Sequence, residues 1–337
     1  MPNPRNRQVV LAGRPDGIPQ ATHFALREAD LPALPDGHIL VRNHLLSVDP
    51  AMRGWVSAVA NYAKPVEIGE VMRSFAVGEV IQSRHPAFAP GAYVSGLFGW
   101  QDYAAVPIGA VTREVQEHDL PLSTAIGVLG LNGTTAYCAL LEIGQPKAGE
   151  TVVVSTAAGA VGSIVGQIAR LKGCRTVGIT GGPEKRRLCL EAFGYDAAID
   201  YKAGPIDSAL AAAAPAGVDV YFDNTAGPIS DSVLRQLAVR ARVVVCGTAA
   251  LSSWAPWPQG PRVERHLLVK RARMQGFLMF DHVDRREEAV AQLAAWVRGG
   301  QLTYREHILD GIEQAPGAIA RLYRGENNGK LLIRLVA

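Results

Sequence analysis

The 337-residue chain holds 34 lysines and arginines against 31 aspartates and glutamates, so its formal net charge is only +3 and no polybasic surface for nucleic acid is expected. Hydrophobic residues make up 48% of the chain and charged residues 19%, which excludes long disordered segments, and the length predicts two domains. The opening residues contain no apolar stretch of signal-peptide length and no run is long enough to cross a bilayer, so we expect a cytoplasmic protein without a membrane partner.

Short apolar runs separated by glycine and proline dominate roughly the first 125 residues. The runs HILVRNHLLSVDP, AVGEVIQSR and FAPGAYVSGLFGWQDYAAV are typical of antiparallel strands joined by turns. They predict a β-rich, barrel-like domain. A helical stretch follows near Thr134–Leu141 and ends at Gly144 and Pro146.

From Thr151 onward, strands and helices alternate. The strand segments are valine-rich and continuous, and they read TVVVS, RTVGIT, AAIDY, VDVYFDN and ARVVVCGT, with a further strand ending RARMQGFLMF. Such strands with helices between them predict a doubly wound parallel sheet that is covered on both faces. The final segments, EEAVAQLAAWVRGGQL, APGAIARLYRG and GKLLIRLV, predict two helices and a strand that returns to the first domain. We therefore predict an α/β protein with a β-rich domain at 1–127, completed by 303–337, and a doubly wound domain at 128–302.

The stretch STAAGAVGSIVGQIARLKG has the order strand, glycine turn and helix that a dinucleotide site requires. Gly159 and Gly162 have the spacing of the last two glycines of the dinucleotide fingerprint, whereas Ala157 stands where the first is expected. Small residues let the backbone approach a pyrophosphate, and the helix N-terminus presents N–H groups and partial positive charge to it. The alternative is an ordinary βαβ crossover with a small-residue packing seam.

The next strand, RTVGIT, lacks the acidic residue that would bind a ribose 2′-hydroxyl. It runs into Thr180-Gly181-Gly182, and a basic cluster of Lys185, Arg186 and Arg187 follows. Cations bind a 2′-phosphate by charge-assisted hydrogen bonds, whereas a carboxylate would repel it. The sequence therefore favours NADP(H) over NAD(H), with Lys185 as the first candidate ligand and Arg186 as the second. A solvated basic helix face is the alternative.

Neither the cysteines nor the histidines have the spacing of a metal site. Cys138, Cys174, Cys189 and Cys246 form no C-x-x-C pair, and the eight histidines are scattered along the chain. We expect no bound metal, no disulfide framework, and histidines that are capped or at the surface.

At these residues the sequence resembles the medium-chain dehydrogenase/reductase superfamily, and most closely its zinc-free branch of prostaglandin reductases, alkenal double-bond reductases and curcumin reductases. The motifs that carry the resemblance span most of the chain in order, and they are SVDPAMRGW, IGEVMR, VLGLNGTTAY, GETVVVSTAAGAVGSIVGQIARLKGCRTVGI, VDVYFDN and GENNGKLLI. The resemblance implies a GroES-like catalytic domain, a Rossmann domain and a cleft between them. It also implies NADPH-dependent reduction of the C=C bond of an α,β-unsaturated ketone or aldehyde.

The resemblance also assigns cofactor contacts by matching position. The pyrophosphate contacts it implies are Ala160, Val161, Gly162 and Ser163. Lys185 would bind the 2′-phosphate, with Tyr201 beside the adenosine and Asn224 near a ribose. The residues implied at the nicotinamide half are Thr135, Cys246, Gly247, Thr248, a strand comprising Phe277, Leu278 and Met279, and Asn327 from the C-terminal segment.

The substrate half departs from the family pattern. Ala51 replaces the tyrosine of DPYMR, Ser252 stands at a second tyrosine position, and Asn132 replaces a proline. The candidates for an oxyanion partner or proton donor are Tyr62, Ser252, Asn132 and the cofactor ribose hydroxyl. A surface or packing role is the favoured alternative for Tyr62, and a turn is the alternative for Asn132.

Three tryptophans, Trp55, Trp254 and Trp257, could form an apolar wall for a bulky or aromatic substrate, or belong to the core. Arg53 could pair with an anion of a ligand or of the protein itself.

Three functions remain compatible with these residues. The first is an NADPH-dependent ene-reductase, the second a quinone or carbonyl reductase on the same scaffold, and the third an NADP(H)-binding protein with weak or lost catalysis. A homodimer is expected, paired through the predicted strand end at Met279–Phe280.

Overall fold

A computed structural model describes residues 5–59, 61–251, 256 and 258–336. The chain divides into two compact units, residues 1–127 with 306–337, and residues 128–305. The expected return to the first unit at 303 is therefore three residues too early (306 − 303). Thr303 belongs to the second unit because its amide donates to Gln167 Oε1 at 2.8 Å and its hydroxyl to the carbonyl of Ala192 at 3.0 Å. The helices of the described residues include none with the length and hydropathy of a membrane span.

The strands, in chain order, are β1 (Asn6–Leu11), β2 (Phe24–Ala29), β3 (His38–Ser47), β4 (Phe75–Ser83), β5 (Tyr93–Leu97), β6 (Tyr103–Pro107), β7 (Val111–Glu114), β8 (Thr151–Ser155), β9 (Arg175–Thr180), β10 (Ala197–Asp200), β11 (Val218–Asp223), β12 (Leu237–Val245), β13 (Arg273–Gly276), β14 (Glu306–Asp310) and β15 (Lys330–Arg334). The α-helices are α1 (Met52–Trp55), α2 (Leu131–Cys138), α3 (Gly162–Leu171), α4 (Pro183–Glu191), α5 (Ile206–Ala213), α6 (Gly227–Leu234), α7 (Glu264–Lys270), α8 (Arg286–Arg298) and α9 (Ala315–Arg324).

The first unit is built on a mostly antiparallel sheet in the order β14-β15-β3-β4-β5-β7, with β6 paired to β3. The long strand β3 also pairs with β15, so the C-terminal strand completes this sheet. Its register is fixed at one end by a buried cation, because Lys330 Nζ donates to Ser47 Oγ at 2.7 Å and to Asp49 Oδ1 at 2.6 Å. Lys330 is 4% exposed, so loss of either charge would leave the other uncompensated in the core.

The second unit contains a parallel sheet in the order β10-β9-β8-β11-β12-β13, which confirms the predicted doubly wound sheet. The chain leaves β8 toward β9 on one side, and β11 lies on the other side of β8. The strand order therefore reverses between β8 and β11, and in open α/β sheets ligands bind at the carboxyl ends of strands at this point. Both central strands are buried along most of their length, as their continuous valine runs predicted.

The last strand of this sheet differs from the prediction. β13 covers Arg273–Gly276, whereas Phe277 and Leu278 follow the strand and Met279–Asp281 forms a 3₁₀ turn. The strand stops there because its partner β12 stops: Val245 pairs with Gly276, and the amide of Phe277 donates to the carbonyl of Val245 at 3.0 Å. The segment Phe277–Met279 thus lies beyond the carboxyl end of the sheet, and the sheet edge is β13 itself rather than Met279–Phe280.

The structure also decides between the structural alternatives for two residues. Asn132 is not a turn residue, because it is the second residue of α2 and is 9% exposed. Trp55 closes α1 at 2% exposure, with the guanidinium of Arg73 over its ring at 5.8 Å, so it belongs to the core of the first unit.

Candidate cofactor site

The glycine turn between β8 and α3 lies at the point where the strand order reverses. A Cβ at Gly162 would stand 2.3 Å from the carbonyl oxygen of Thr156, so only glycine allows this close approach. Ala157 replaces the first fingerprint glycine because β9 makes room for its methyl: a Cβ at Gly178 would lie 2.7 Å from the Cβ of Ala157. The turn therefore retains the tight path of a pyrophosphate-binding loop despite its altered first residue.

The four predicted pyrophosphate contacts are on this turn and the first residues of α3. Ala160 and Val161 are half-buried, and Gly162 and Ser163 are buried. The Ser163 amide already donates to the carbonyl of Gly159 at 3.0 Å, so it is the Ser163 hydroxyl, rather than its amide, that this residue can offer to an anion. Positive backbone φ angles occur at two non-glycine residues beside this edge, Thr156 (φ 52°) and Ala226 (φ 56°), a strain that concentrates at ligand sites.

The carboxylate of Asp223, the last residue of β11, joins the strands on either side of the reversal point. Its Oδ1 accepts hydrogen bonds from Ser155 Oγ at 3.3 Å, from Tyr221 Oη at 3.0 Å, and from the amides of Thr225 and Ala226 at 2.9 Å each. Ser230 Oγ donates to the other oxygen, Oδ2, at 2.5 Å. A buried carboxylate needs such a set of donors to offset its desolvation.

The same network positions Asn224, the residue expected near a ribose. Its amide donates to Ser155 Oγ at 2.8 Å and its Nδ2 to the Ser155 carbonyl at 2.7 Å, which leaves Oδ1 of the side chain as the acceptor for a ligand. The carbonyl of Asp223 also accepts from the amides of Cys246 and Gly247 at 2.8 and 3.0 Å. The ends of β8, β11 and β12 are thus tied together by one short stretch of chain.

Two groups of this network, Cys246 and Tyr221, have raised pKa values. Burial, and then the nearby Asp223 carboxylate, raises the pKa of Cys246 to about 12, so its thiol stays protonated. Burial also raises the pKa of Tyr221 well above its ordinary value. Thr248, the third residue of this predicted set, accepts a hydrogen bond from the Leu251 amide at 3.0 Å and shapes the loop.

The basic cluster lies beyond β9, where the ends of β9 and β10 are joined. The Tyr201 amide donates to the Thr180 carbonyl at 3.0 Å, and the Gly182 amide to Asp200 Oδ1 at 2.8 Å. A Cβ at Gly181 would lie 2.8 Å from the Tyr201 hydroxyl, so this glycine lets the Tyr201 ring pack over the turn. The ring is 42% exposed and available for stacking by a base.

The two predicted phosphate ligands differ in their surroundings. Lys185 is half-buried in the first turn of α4, and burial, followed by the charge of Lys202, lowers its pKa. Arg186 donates from Nε to the Ala198 carbonyl at 2.9 Å, a bond that fastens α4 to β10. The structure therefore keeps Lys185 as a candidate and gives Arg186 a structural role that the sequence did not reveal.

The segment Phe277–Met279 is held by a polar cluster that sequence reasoning missed. The ring of His282 stacks on Phe277 with centroids 4.6 Å apart, and its Nδ1 lies 2.9 Å from Glu142. Arg285 bonds the same carboxylate at 2.7 Å. The sequence predicts histidines at the surface or in caps, whereas His282 is half-buried in this cluster. The role of His282 follows from its contact with Glu142 on the helical segment Ala139–Gly144 that continues α2. This segment is far from His282 in the sequence.

Tyr62, the first catalytic candidate, lies in the other unit. Its side chain is 45% exposed and lies close enough to Tyr323 to affect the pKa of that residue. The Tyr323 hydroxyl donates to the Pro50 carbonyl at 3.1 Å, and the Arg53 guanidinium lies 5.3 Å from its ring centroid. The Arg53 guanidinium thus contacts the Tyr323 ring.

The remaining candidates are placed as follows. Thr135 is half-buried in α2. Asn327 is 9% exposed and donates from Nδ2 to the Gly329 carbonyl at 2.7 Å. Ser252, Trp254 and Trp257 lie outside the described residues. Across the described ranges, no group of three or more histidine, cysteine, aspartate or glutamate side chains could hold a metal ion.

Comparisons with known proteins cover both units. Residues 7–113 match the family described as the N-terminal domain of oxidoreductase, and residues 160–296 the family described as zinc-binding dehydrogenase. The NADPH-dependent curcumin reductase of Escherichia coli K12 is 42% identical over 98% of this chain and 97% of its own length. Prostaglandin reductase 1 of Mus musculus is 39% identical over 95% of this chain and 96% of its own. The crystal structure of CurA from Vibrio vulnificus in complex with NADPH superposes with a TM-score of 0.91 at 42% identity, covering 98% of this chain and 99% of that one.

Replacing Asp223 by Asn should weaken both the fold and the site. An amide oxygen cannot accept from as many donors as the carboxylate, so buried hydroxyl and amide groups lose partners, and we expect a loss of about 2 kcal/mol in the free energy of unfolding. Because Asn224 and Gly247 are tied to this residue, the dissociation constant for a reduced dinucleotide should rise as well. Urea unfolding and a fluorescence titration measure the two effects.

Asp219→Asn is the matched control, because Asp219 lies on the same strand but at its amino end, away from the site. Its carboxylate accepts a hydrogen bond from the Thr151 amide at 2.9 Å. It should leave dinucleotide affinity unchanged. Unchanged affinity in Asp223→Asn as well would show that the carboxylate does not shape the site.

Proposed function

The chain belongs to the zinc-free branch of the medium-chain dehydrogenase/reductase superfamily, and on that premise we propose that it is an NADPH-dependent ene-reductase. It reduces the carbon–carbon double bond of α,β-unsaturated ketones or aldehydes. The relatives named for curcumin and prostaglandin reduction support this substrate class. The observation that carries the proposal is the turn after β9, which has Lys185 and Tyr201 beside it and no acidic residue at the end of the strand.

The residues at the carboxyl edge of the parallel sheet fit NADPH. The turn at Gly162 allows close approach of a pyrophosphate, and Lys185 supplies the cation for a 2′-phosphate. Asn224 Oδ1 provides an acceptor for a ribose hydroxyl. When bound, NADPH supplies the hydride that adds to the β-carbon of the substrate.

The protein's part in the chemistry is to hold the substrate carbonyl and to allow a proton to reach the α-carbon. As the hydride adds, negative charge moves to the carbonyl oxygen, which needs a hydrogen-bond donor. Tyr62 is the donor that we favour, because its residue is 45% exposed and lies near Tyr323, whose ring the Arg53 guanidinium contacts. Asn132 and Ser252 remain the alternatives, and the proton for the α-carbon comes from solvent or one of these hydroxyls.

Turnover separates the candidate functions. Purified protein with NADPH should consume the reduced nicotinamide absorbance in the presence of enones and enals and yield the saturated carbonyl compound. Quinol or alcohol as the main product would favour a quinone or carbonyl reductase instead. NADPH binding without turnover of any enone, enal or quinone would favour a binding protein. Ala51 and Ser252, which stand at two tyrosine positions of the family, are the reason to test this alternative.

Lys185→Ala should raise the dissociation constant for NADPH by about 10- to 100-fold, because a charge-assisted hydrogen bond contributes about 1.5–3 kcal/mol. NADH affinity should stay within about twofold, since NADH has no 2′-phosphate for the lysine to contact. Equal loss of both affinities would indicate general damage rather than a phosphate contact. An unchanged NADPH affinity would remove Lys185 from the site.

Tyr62→Phe should lower kcat for an enone by about 10²-fold if the hydroxyl stabilises the enolate oxygen, with NADPH affinity unchanged. Ser252→Ala and Asn132→Ala are the parallel variants, and a fall confined to either of them would transfer the role. Stopped-flow measurement of the hydride step under single-turnover conditions gives the rate most directly.

We also propose that the protein is a homodimer paired through β13, the terminal strand of the parallel sheet. Exposed apolar side chains lie in the neighbouring α7, where Leu268 is 77% and Val269 56% exposed. Sedimentation should give twice the chain mass of 35.9 kDa, and Leu268→Glu with Val269→Glu should give a monomer. A wild-type monomer at micromolar concentration would contradict the proposal. A cytoplasmic location stays a prediction from the sequence.

A further inference from the structure

The loop after β10 brings a second lysine to the phosphate-binding end of the site. Lys202 follows Tyr201 directly, and its amide donates to Asp200 Oδ1 at 2.9 Å. The same Asp200 oxygen accepts from the Gly182 amide at 2.8 Å, so the turn after β9 and the loop after β10 are fastened to one carboxylate. Lys202 is therefore held beside the turn that precedes α4.

The charged residues of this corner are Lys185 and Lys202, with the carboxylates of Glu184 and Asp200 beside them. Lys202 is exposed, and its charge adds to burial in lowering the pKa of the half-buried Lys185. Glu184, on the same turn of α4, acts in the opposite direction on that pKa. Oδ1 of Asp200 accepts hydrogen bonds from two backbone amides. Two ammonium groups brought together in this way are stabilised by a dianion placed between them.

We assign Arg186 a different role. Its Nε donates to the Ala198 carbonyl at 2.9 Å, so part of its guanidinium is committed to fastening α4 to β10. The sequence ranked Arg186 as the second cation because it follows Lys185, but the neighbour in space is Lys202, 17 positions further along (202 − 185). The adjacent Tyr201 ring adds a stacking surface for the adenine on the same loop.

We propose that Lys202 is a specificity-determining residue that binds the 2′-phosphate of NADPH together with Lys185, across the ends of β9 and β10. The proposal rests on the proposed function, since it needs NADPH as the cofactor. It assigns the preference for the phosphorylated dinucleotide to two lysines from different loops, and it gives Arg186 a structural role only.

The test compares dissociation constants for NADPH and NADH, measured by nicotinamide fluorescence, in the wild type and in single variants of the full chain. Lys202→Ala should weaken NADPH binding about tenfold and leave NADH within about twofold. Lys202→Arg should restore most of the NADPH affinity, because the cation is kept. Arg186→Ala should leave the ratio of the two affinities unchanged, even if it lowers the melting temperature.

Lys172→Ala is the matched control, because Lys172 is an exposed lysine at the C-terminal end of α3, on the opposite edge of the sheet. The proposal would be overturned if Lys202→Ala and Lys172→Ala had the same ratio of NADPH to NADH dissociation constants. It would also be overturned if Arg186→Ala reduced the preference for NADPH over NADH as much as Lys202→Ala does. A wild type that binds NADH as tightly as NADPH would instead overturn the proposed function, so the two failures are distinguishable.

Discussion

The buried carboxylate of Asp223 is the interaction on which the geometry of the site depends. It lies at the carboxyl end of β11, where the strand order of the parallel sheet reverses, and it accepts from Ser155 on the neighbouring β8. Its own backbone carbonyl holds the chain that leaves β12. An uncharged residue could not satisfy the hydroxyl and amide donors gathered here, and an unsatisfied carboxylate could not remain buried. The network therefore fixes three strand ends relative to one another, and the turn before α3 and the side chain of Asn224 take their positions from it.

Specificity for the phosphorylated dinucleotide follows from what is placed at the end of β9. The strand ends in Thr180 and two glycines, so the strand itself contributes no carboxylate at its end, and Gly181 leaves space for the Tyr201 ring. Lysines then come from two directions, α4 and the loop after β10. The repulsion between the two ammonium groups is unfavourable in the ligand-free protein, and a phosphate dianion bound between them replaces it with attraction. Preference for NADPH therefore depends on the residues at the carboxyl ends of β9 and β10, and these are separate from the residues that select the substrate.

Local patterns predicted most of the second unit, because strand burial, helix periodicity and glycine spacing are encoded within a few residues. The β8–turn–α3 segment, the absence of an acid after β9 and the candidate Lys185 were all readable in this way. The features that were missed depend on contacts between distant segments. β13 ends at Gly276 because β12 ends at Val245, Arg186 is bonded to Ala198 across two elements, and His282 is stacked on Phe277 and paired with Glu142. The Phe277–His282 stack joins nearby positions, but its anchor Glu142 and the partners of the other contacts lie on different elements.

Hydrogen–deuterium exchange of the full chain, with and without saturating dinucleotide, tests the central claim most directly. The account predicts that NADPH slows exchange in residues 156–162 and 224–227, on both sides of the reversal point, and also in residues 181–185 and 201–202. NADH should slow only the first two segments, and residues 171–174, at the opposite edge of the sheet, should not respond to either. Protection by NADPH outside these four segments, or identical patterns for the two dinucleotides, would contradict it.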